Sequence, residues 1–243
     1  VLSIVGIGPG NLDLLTQRAY RALKTSEVIA GYKRYVRLLA DLTSGKEVIS
    51  TGMTQEVDRV RAAIDKAREG RRVCLISSGD PGIYGMAGLV LEILGKEEKE
   101  GIRIEIIPGV TALSGCASRL GAPLMHDFAV ISLSDLLTDL KLIELRVLYA
   151  ARADFVIAFY NPQSKKRTAP IRRAWQILLR HKPPRTPVGI VRNCERGAEE
   201  VIITTLEKMP SYKKIDMVTM IIVGSSRTYV KDGQMITPRG YRL

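Results

Sequence analysis

Cysteine, histidine, aromatic rings and acidic side chains are all scarce in this chain of 243 residues. The three cysteines, Cys74, Cys116 and Cys194, are odd in number, far apart and without a CxxC pair, and only His126 and His181 could join them as soft ligands. Such a set argues against a disulfide framework and against any metal site, so apolar packing is the expectation for each thiol. Aromatic residues make up 5%, and neither a ribonucleoprotein-type aromatic motif nor a helix-turn-helix pattern is present. A nucleic-acid partner would lack its stacking and groove-reading parts. No apolar run outgrows a strand, Phe155 to Tyr160 being typical, so no membrane partner is expected. Val1 to Ile7 reads directly as a strand rather than as a signal segment, and the expected location is cytoplasmic. Acidic residues number 25 against 37 Lys+Arg, and the resulting +12 predicts attraction to a polyanion, a small polycarboxylate included.

What remains is an ordinary globular composition, 46% hydrophobic and 26% charged, which sets aside fibrous and disordered classes. Apolar runs alternate with helical periodicity from the start, the pattern of an α/β fold with mainly parallel strands. Strands are expected at Leu2 to Ile7, Glu27 to Gly31, Glu47 to Ile49, Arg72 to Ser77 and Ile102 to Ile107. Helices are expected over Leu12 to Lys24, Tyr32 to Leu39, Glu56 to Glu69 and Met86 to Leu94, with a charged connector over 96–100. In the helix at Glu56, the apolar stripe reads Val57, Val60, Ala63, Ile64 and Ala67. A further helix from Thr111 meets Gly121-Ala122-Pro123, a stop sequence that suggests a hinge. The expected division is a first α/β domain over 1–121 and a second over 122–243, with a ligand cleft between them. In the second, strands are expected at Phe128 to Leu133, Phe155 to Tyr160, Val188 to Arg192, Val201 to Thr205 and Thr219 to Val223, with a helix over Pro170 to Arg180.

Three turns follow three strands of the first domain. Gly6-Ile7-Gly8-Pro9-Gly10 has GxGxG where a dinucleotide site has GxGxxG, and the acidic Glu27 stands before the body of its strand, at its start instead of its end, which disfavours NAD. Ser78-Gly79-Asp80-Pro81-Gly82-Ile83-Tyr84-Gly85 places a carboxylate among glycines; it reads either as a ligand loop or as a turn in which Asp80 caps the next helix. Pro108-Gly109-Val110-Thr111-Ala112 reads as a third such turn or as an N-cap at Thr111. Parallel strands would bring all three to one edge, a coincidence that favours a nucleotide-like ligand. No Ser/His/Asp set and no GxSxG occurs, so a reaction that needs no protein nucleophile, such as methyl transfer, suits this inventory.

The segments VGIGPGNLDLLT, SSGDPGIYGMAG, PGVTALSGCASRLGAPLMHDFAVISLSD and FYNP together resemble the tetrapyrrole methyltransferases, which use S-adenosylmethionine, over essentially the whole chain. GAPLMHDFAVISLSDLLT, FYNPQSKKR, MIIVGSSRTY and MITPRGY are most similar to the branch that methylates C(17) of a precorrin-3 type ring in cobalamin biosynthesis. The resemblance implies a homodimer of two-domain subunits with S-adenosylmethionine in the interdomain cleft. It assigns Pro9, Gly79, Asp80, Ile83, Thr111, Ala112, Tyr160, Asn161 and Asn193 to the cofactor. It also implies ring contraction, with the extruded C(20) captured as a lactone or acyl group; both metal-free and cobalt-containing substrates are compatible with it. The anionic tetrapyrrole would be steered by Lys165, Lys166 and Arg167, and His126 with Asp127 would supply an acid or base unless they serve only as structure. The alternatives are methylation at another ring position and, on charge alone, an RNA-binding module.

Overall fold

The computed structural model describes residues 1–96 and 101–242, so the expected charged connector lies, beyond Lys96, outside the described residues. The chain divides into two compact units, Val1–Ala112 and Leu113–Leu243. The division falls at the start of the helix Ala112–Leu120 rather than at 121, where its stop sequence suggested it.

The first unit is a five-stranded sheet built from β1 (Leu2–Gly6), β2 (Val28–Tyr32), β3 (Glu47–Thr51), β4 (Val73–Ser77) and β5 (Ile104–Ile107), in the order β3-β2-β4-β1-β5. Every pairing is parallel. Such a sheet must be covered on both faces, which is why its central strands are apolar without alternation. On one face Leu2, Ile4, Val28, Ala30, Val73 and Leu75 pack under α4 (Glu56–Arg68) and α5 (Met86–Lys96). On the other, Val5, Ile29, Cys74, Ile76 and Ile107 meet Ala19 and Leu23 of α1 (Gln17–Thr25) and Leu39. Thr16 caps α1, accepting from the Ala19 amide at 3.2 Å. The single helix expected over Tyr32 to Leu39 is instead two short ones, α2 (Lys33–Arg37) and α3 (Ala40–Thr43).

The second unit begins with α6 (Ala112–Leu120) and carries a mixed sheet of β7 (Phe128–Ser132), β8 (Val156–Tyr160), β9 (Pro187–Arg192), β10 (Glu200–Thr205) and β11 (Thr219–Val223). The order is β10-β9-β11-β8-β7, with only β7 and β8 parallel. The helices α7 (Leu140–Arg152) and α8 (Ala169–His181) cover one face through Ile143, Val147, Ile171, Ala174 and Leu178. On the opposite face α6 comes so close that a Cβ on Gly189 would stand 2.3 Å from Leu120 Cδ1. The expected hinge at Gly121 is not a free joint. Gly121–Ala122 forms β6, which pairs with β13 (Gln234–Ile236) in a small sheet completed by β12 (Tyr229–Lys231), because Gly121 at φ +118° and the Thr237 amide, bonded to Ala122 O at 3.1 Å, lock it there. Among the described residues no helix is long and apolar enough to cross a membrane.

Candidate active site

Parallel pairing puts the carboxyl ends of β1, β4 and β5 on one edge, and the three turns that follow them are joined to one another there. The Gly8 and Gly79 amides exchange hydrogen bonds with each other's carbonyls, at 3.2 and 2.7 Å. A Cβ on Gly109 would lie 2.2 Å from Gly79 O, and one on Gly6 would lie 2.6 Å from Gly109 N. These glycines therefore let three turns approach each other. Asp80 closes the cluster. Its Oδ1 accepts from the Gly82 amide at 2.8 Å and its Oδ2 from the Gly109 amide at 3.1 Å, so it ties the second turn to the third instead of capping the following helix.

Pro9 is buried behind Gly8; Thr111 and Ala112 stand against Gly79, whose Cβ position lies 3.3 Å from the Ala112 nitrogen. Ile83 and Tyr84, 40% and 55% exposed, crown the cluster, and Tyr84 holds a left-handed backbone at φ 52°. Six of the expected cofactor residues thus meet in the first unit.

In the second unit α6 organises the remaining ones. The Leu113 amide, one of the N–H groups that a helix start leaves without an internal partner, donates to the Tyr160 hydroxyl at 3.0 Å. Arg119 ends the same helix with ion pairs to Glu195 and Glu199 at 2.7 and 3.0 Å, beside Asn193. Asn161 (φ 50°) donates to Ser132 Oγ at 3.1 Å, and Asn193 (φ 52°) to Ala198 O at 3.3 Å. Cys194 follows Asn193 directly and is hydrogen-bonded to Cys116 of α6, which holds the Cys116 thiol above its usual value. The third cysteine, Cys74, is pushed up to about 11 by burial.

The three cations placed at the substrate separate. Lys165 and Lys166 are exposed, but the Arg167 side chain is 9% exposed. It donates to Leu133 O, to Asn161 O at 2.9 Å and to Met217 Sδ at 3.2 Å, and faces Asp135 at 3.7 Å. Desolvation lowers its pKa. Arg167 therefore fastens the Asn161 loop to the end of β7, because its donors are consumed by the Asn161 and Leu133 carbonyls and the Met217 sulfur. His126 and Asp127 stay beside each other: His126 Nδ1 accepts the Asp127 amide at 2.8 Å and lies 3.7 Å from Asp127 Oδ2. In neutral imidazole that bond leaves the proton on Nε2.

Sequence reasoning missed Arg59. It assigned Val57 to the buried stripe of α4, whereas Val57 is 45% exposed and Arg59 is 2% exposed. A lone arginine inside an otherwise apolar stripe was the available signal.

The family and the relatives of this chain make it a methyltransferase. The chain belongs to the tetrapyrrole (corrin/porphyrin) methylases, whose family model matches residues 1–210. It is 51% identical over 243 residues to a probable cobalt-factor III C(17)-methyltransferase of Salmonella typhimurium, covering all of both chains. It is 50% identical to the cobalt-factor III methyltransferase of Priestia megaterium, covering 99% of this chain but 45% of that longer one. Among solved structures, the methyltransferase CobJ superposes with a TM-score of 0.92 at 37% identity, over 98% of this chain and 99% of the other. A Thermus thermophilus uroporphyrin-III C-methyl transferase complexed with S-adenosyl homocysteine superposes at 0.70 with 27% identity, over 92% and 96%.

Proposed function

We propose that this chain transfers the methyl group of S-adenosylmethionine to C(17) of cobalt-factor III, a precorrin-3 type ring, with contraction of the macrocycle, in cobalamin biosynthesis. One observation carries the reading: the full-length identity to a relative named for that reaction. The geometry supports it. S-adenosylmethionine supplies an activated methyl group, so the chain has no nucleophile to provide and must hold donor and acceptor in line at about 3 to 3.5 Å. The joined turns around Gly79 hold the donor, and Asp80 keeps them rigid. Within the second unit, Tyr160, Asn161 and Asn193 are each held by a hydrogen bond. His126, with Nδ1 held by a backbone amide at 2.8 Å, presents Nε2 for proton transfer during contraction. Lys165 and Lys166 attract the ring's carboxylates.

We further read the protein as a cytoplasmic homodimer. Its three free cysteines suit a reducing compartment, and Leu136, Leu137, Leu142, Leu145 and Tyr149 form an exposed apolar stretch on and before α7 that suits a second copy.

The deciding experiment is incubation with S-adenosylmethionine and either cobalt-factor III or its metal-free counterpart, followed by mass spectrometry and carbon NMR. One added methyl at C(17) of a contracted ring is expected with the cobalt compound. Methylation elsewhere on an uncontracted ring would establish the alternative position, and no methylation of either compound would refute the reading.

A further inference from the structure

Arg59 is a buried cation whose Nε has no hydrogen-bond partner among the described residues. Its side chain is 3% exposed, and among the described residues its one ion pair is to Glu56 Oε1 at 3.8 Å, too long for a hydrogen bond. That same Glu56 oxygen accepts from the Thr54 amide at 3.3 Å. Burying a guanidinium is costly unless acceptors meet it, and burial does push its pKa down. The fold nevertheless turns Arg59 inward and leaves the neighbouring Val57 45% exposed. A second unpartnered group lies close by in the chain: Thr51 Oγ1, at the end of β3, is buried with no hydrogen bond. Tyr32 and Tyr35, whose rings meet edge to face at 5.2 Å, lie within electrostatic reach of Arg59. Thr51 and Tyr32 end β3 and β2, on the same carboxyl edge of the sheet as the three joined turns.

We propose that Arg59, with the Thr51 hydroxyl at the adjoining strand end, is a specificity-determining subsite that receives one carboxylate of the tetrapyrrole substrate. The guanidinium fork matches a carboxylate with two parallel hydrogen bonds, and the hydroxyl donates a third. This rests on the tetrapyrrole reading of the protein. S-adenosylmethionine also carries a carboxylate, and the test separates the two sources.

Arg59→Met and Arg59→Lys are compared with wild type in three measurements: thermal unfolding, calorimetric affinity for S-adenosylhomocysteine, and kcat and KM for cobalt-factor III. Expected for Arg59→Met is a melting temperature equal to or above wild type, since an unpaired buried charge is removed. Its S-adenosylhomocysteine affinity should stay within about twofold, and its KM for the macrocycle should rise about 10- to 100-fold, the loss of a charged hydrogen-bond pair. Arg59→Lys should recover part of that KM. An unchanged macrocycle KM overturns the proposal, as does a melting temperature that collapses in both variants, which would make Arg59 structural. A loss confined to S-adenosylhomocysteine affinity overturns it too, by giving the carboxylate to the cofactor. Failure of the underlying reading looks different: wild type itself would neither bind nor methylate the macrocycle, and the subsite would fall with it.

Discussion

Removing the Asp80 carboxylate would strand the Gly82 and Gly109 amides that it now accepts from. Asp80→Ala should cost about 1 to 3 kcal/mol of stability and weaken S-adenosylhomocysteine binding, read by thermal unfolding and calorimetry; both unchanged would show that the clamp contributes nothing. His126→Ala tests the proton role assigned to that imidazole: methylated but uncontracted macrocycle should accumulate, visible in the absorption spectrum, whereas normal contraction would reduce His126 to structure. Asp154 carries a pH dependence. Burial pushes its carboxyl up, but the Ser226 hydroxyl and amide and Lys182 Nζ outweigh burial and hold it below its ordinary range. A depressed carboxyl stabilises the fold fully above its unfolded value, near pH 4, and the contribution fades as pH falls through the lowered folded value. Asp154→Asn should therefore flatten the stability profile below about pH 4. At neutral pH it should also lower the melting temperature, because the Lys182 side chain, 1% exposed, loses its charged partner and keeps only the Phe155 carbonyl.

Helix α6 links the loops of Tyr160 and Asn193 in the second unit, and its Leu113 amide depends on one side chain. Tyr160→Phe should cost about 0.5 to 1.5 kcal/mol, seen as a lowered melting temperature. At this scale most strands and helices were legible in the sequence, because strands apolar throughout and helices apolar at every third or fourth position announce themselves. Helix α7 did not. Its buried residues Ile143, Val147, Ala150 and Ala151 are accompanied by exposed Leu142, Leu145 and Tyr149, so the apolar residues run round the helix and hide its period. The pairing of β6 with β13 was equally hidden, since a two-residue strand has no periodicity and its partner lies more than a hundred residues away.

For the whole molecule, the net +12 should act on encounter more than on affinity once bound. Raising ionic strength should lower kcat/KM for the anionic macrocycle. Lys165→Glu with Lys166→Glu should reduce the salt dependence, each exposed contact being worth about 0.2 to 1 kcal/mol; an unaltered salt profile would remove both lysines from the encounter. The amino-acid order alone determined the alternating architecture, the three glycine turns and the family, because these rest on short-range pattern and on motifs contiguous in the chain. Only tertiary structure decided what the polar side chains in those motifs do. Asp80 ties two turns together, Arg167 turns inward to its own loop, Cys116 meets Cys194, and Arg59 is buried where a valine was expected. Each outcome depends on which distant backbone groups arrive beside the side chain, and that is set by packing rather than by neighbours in sequence.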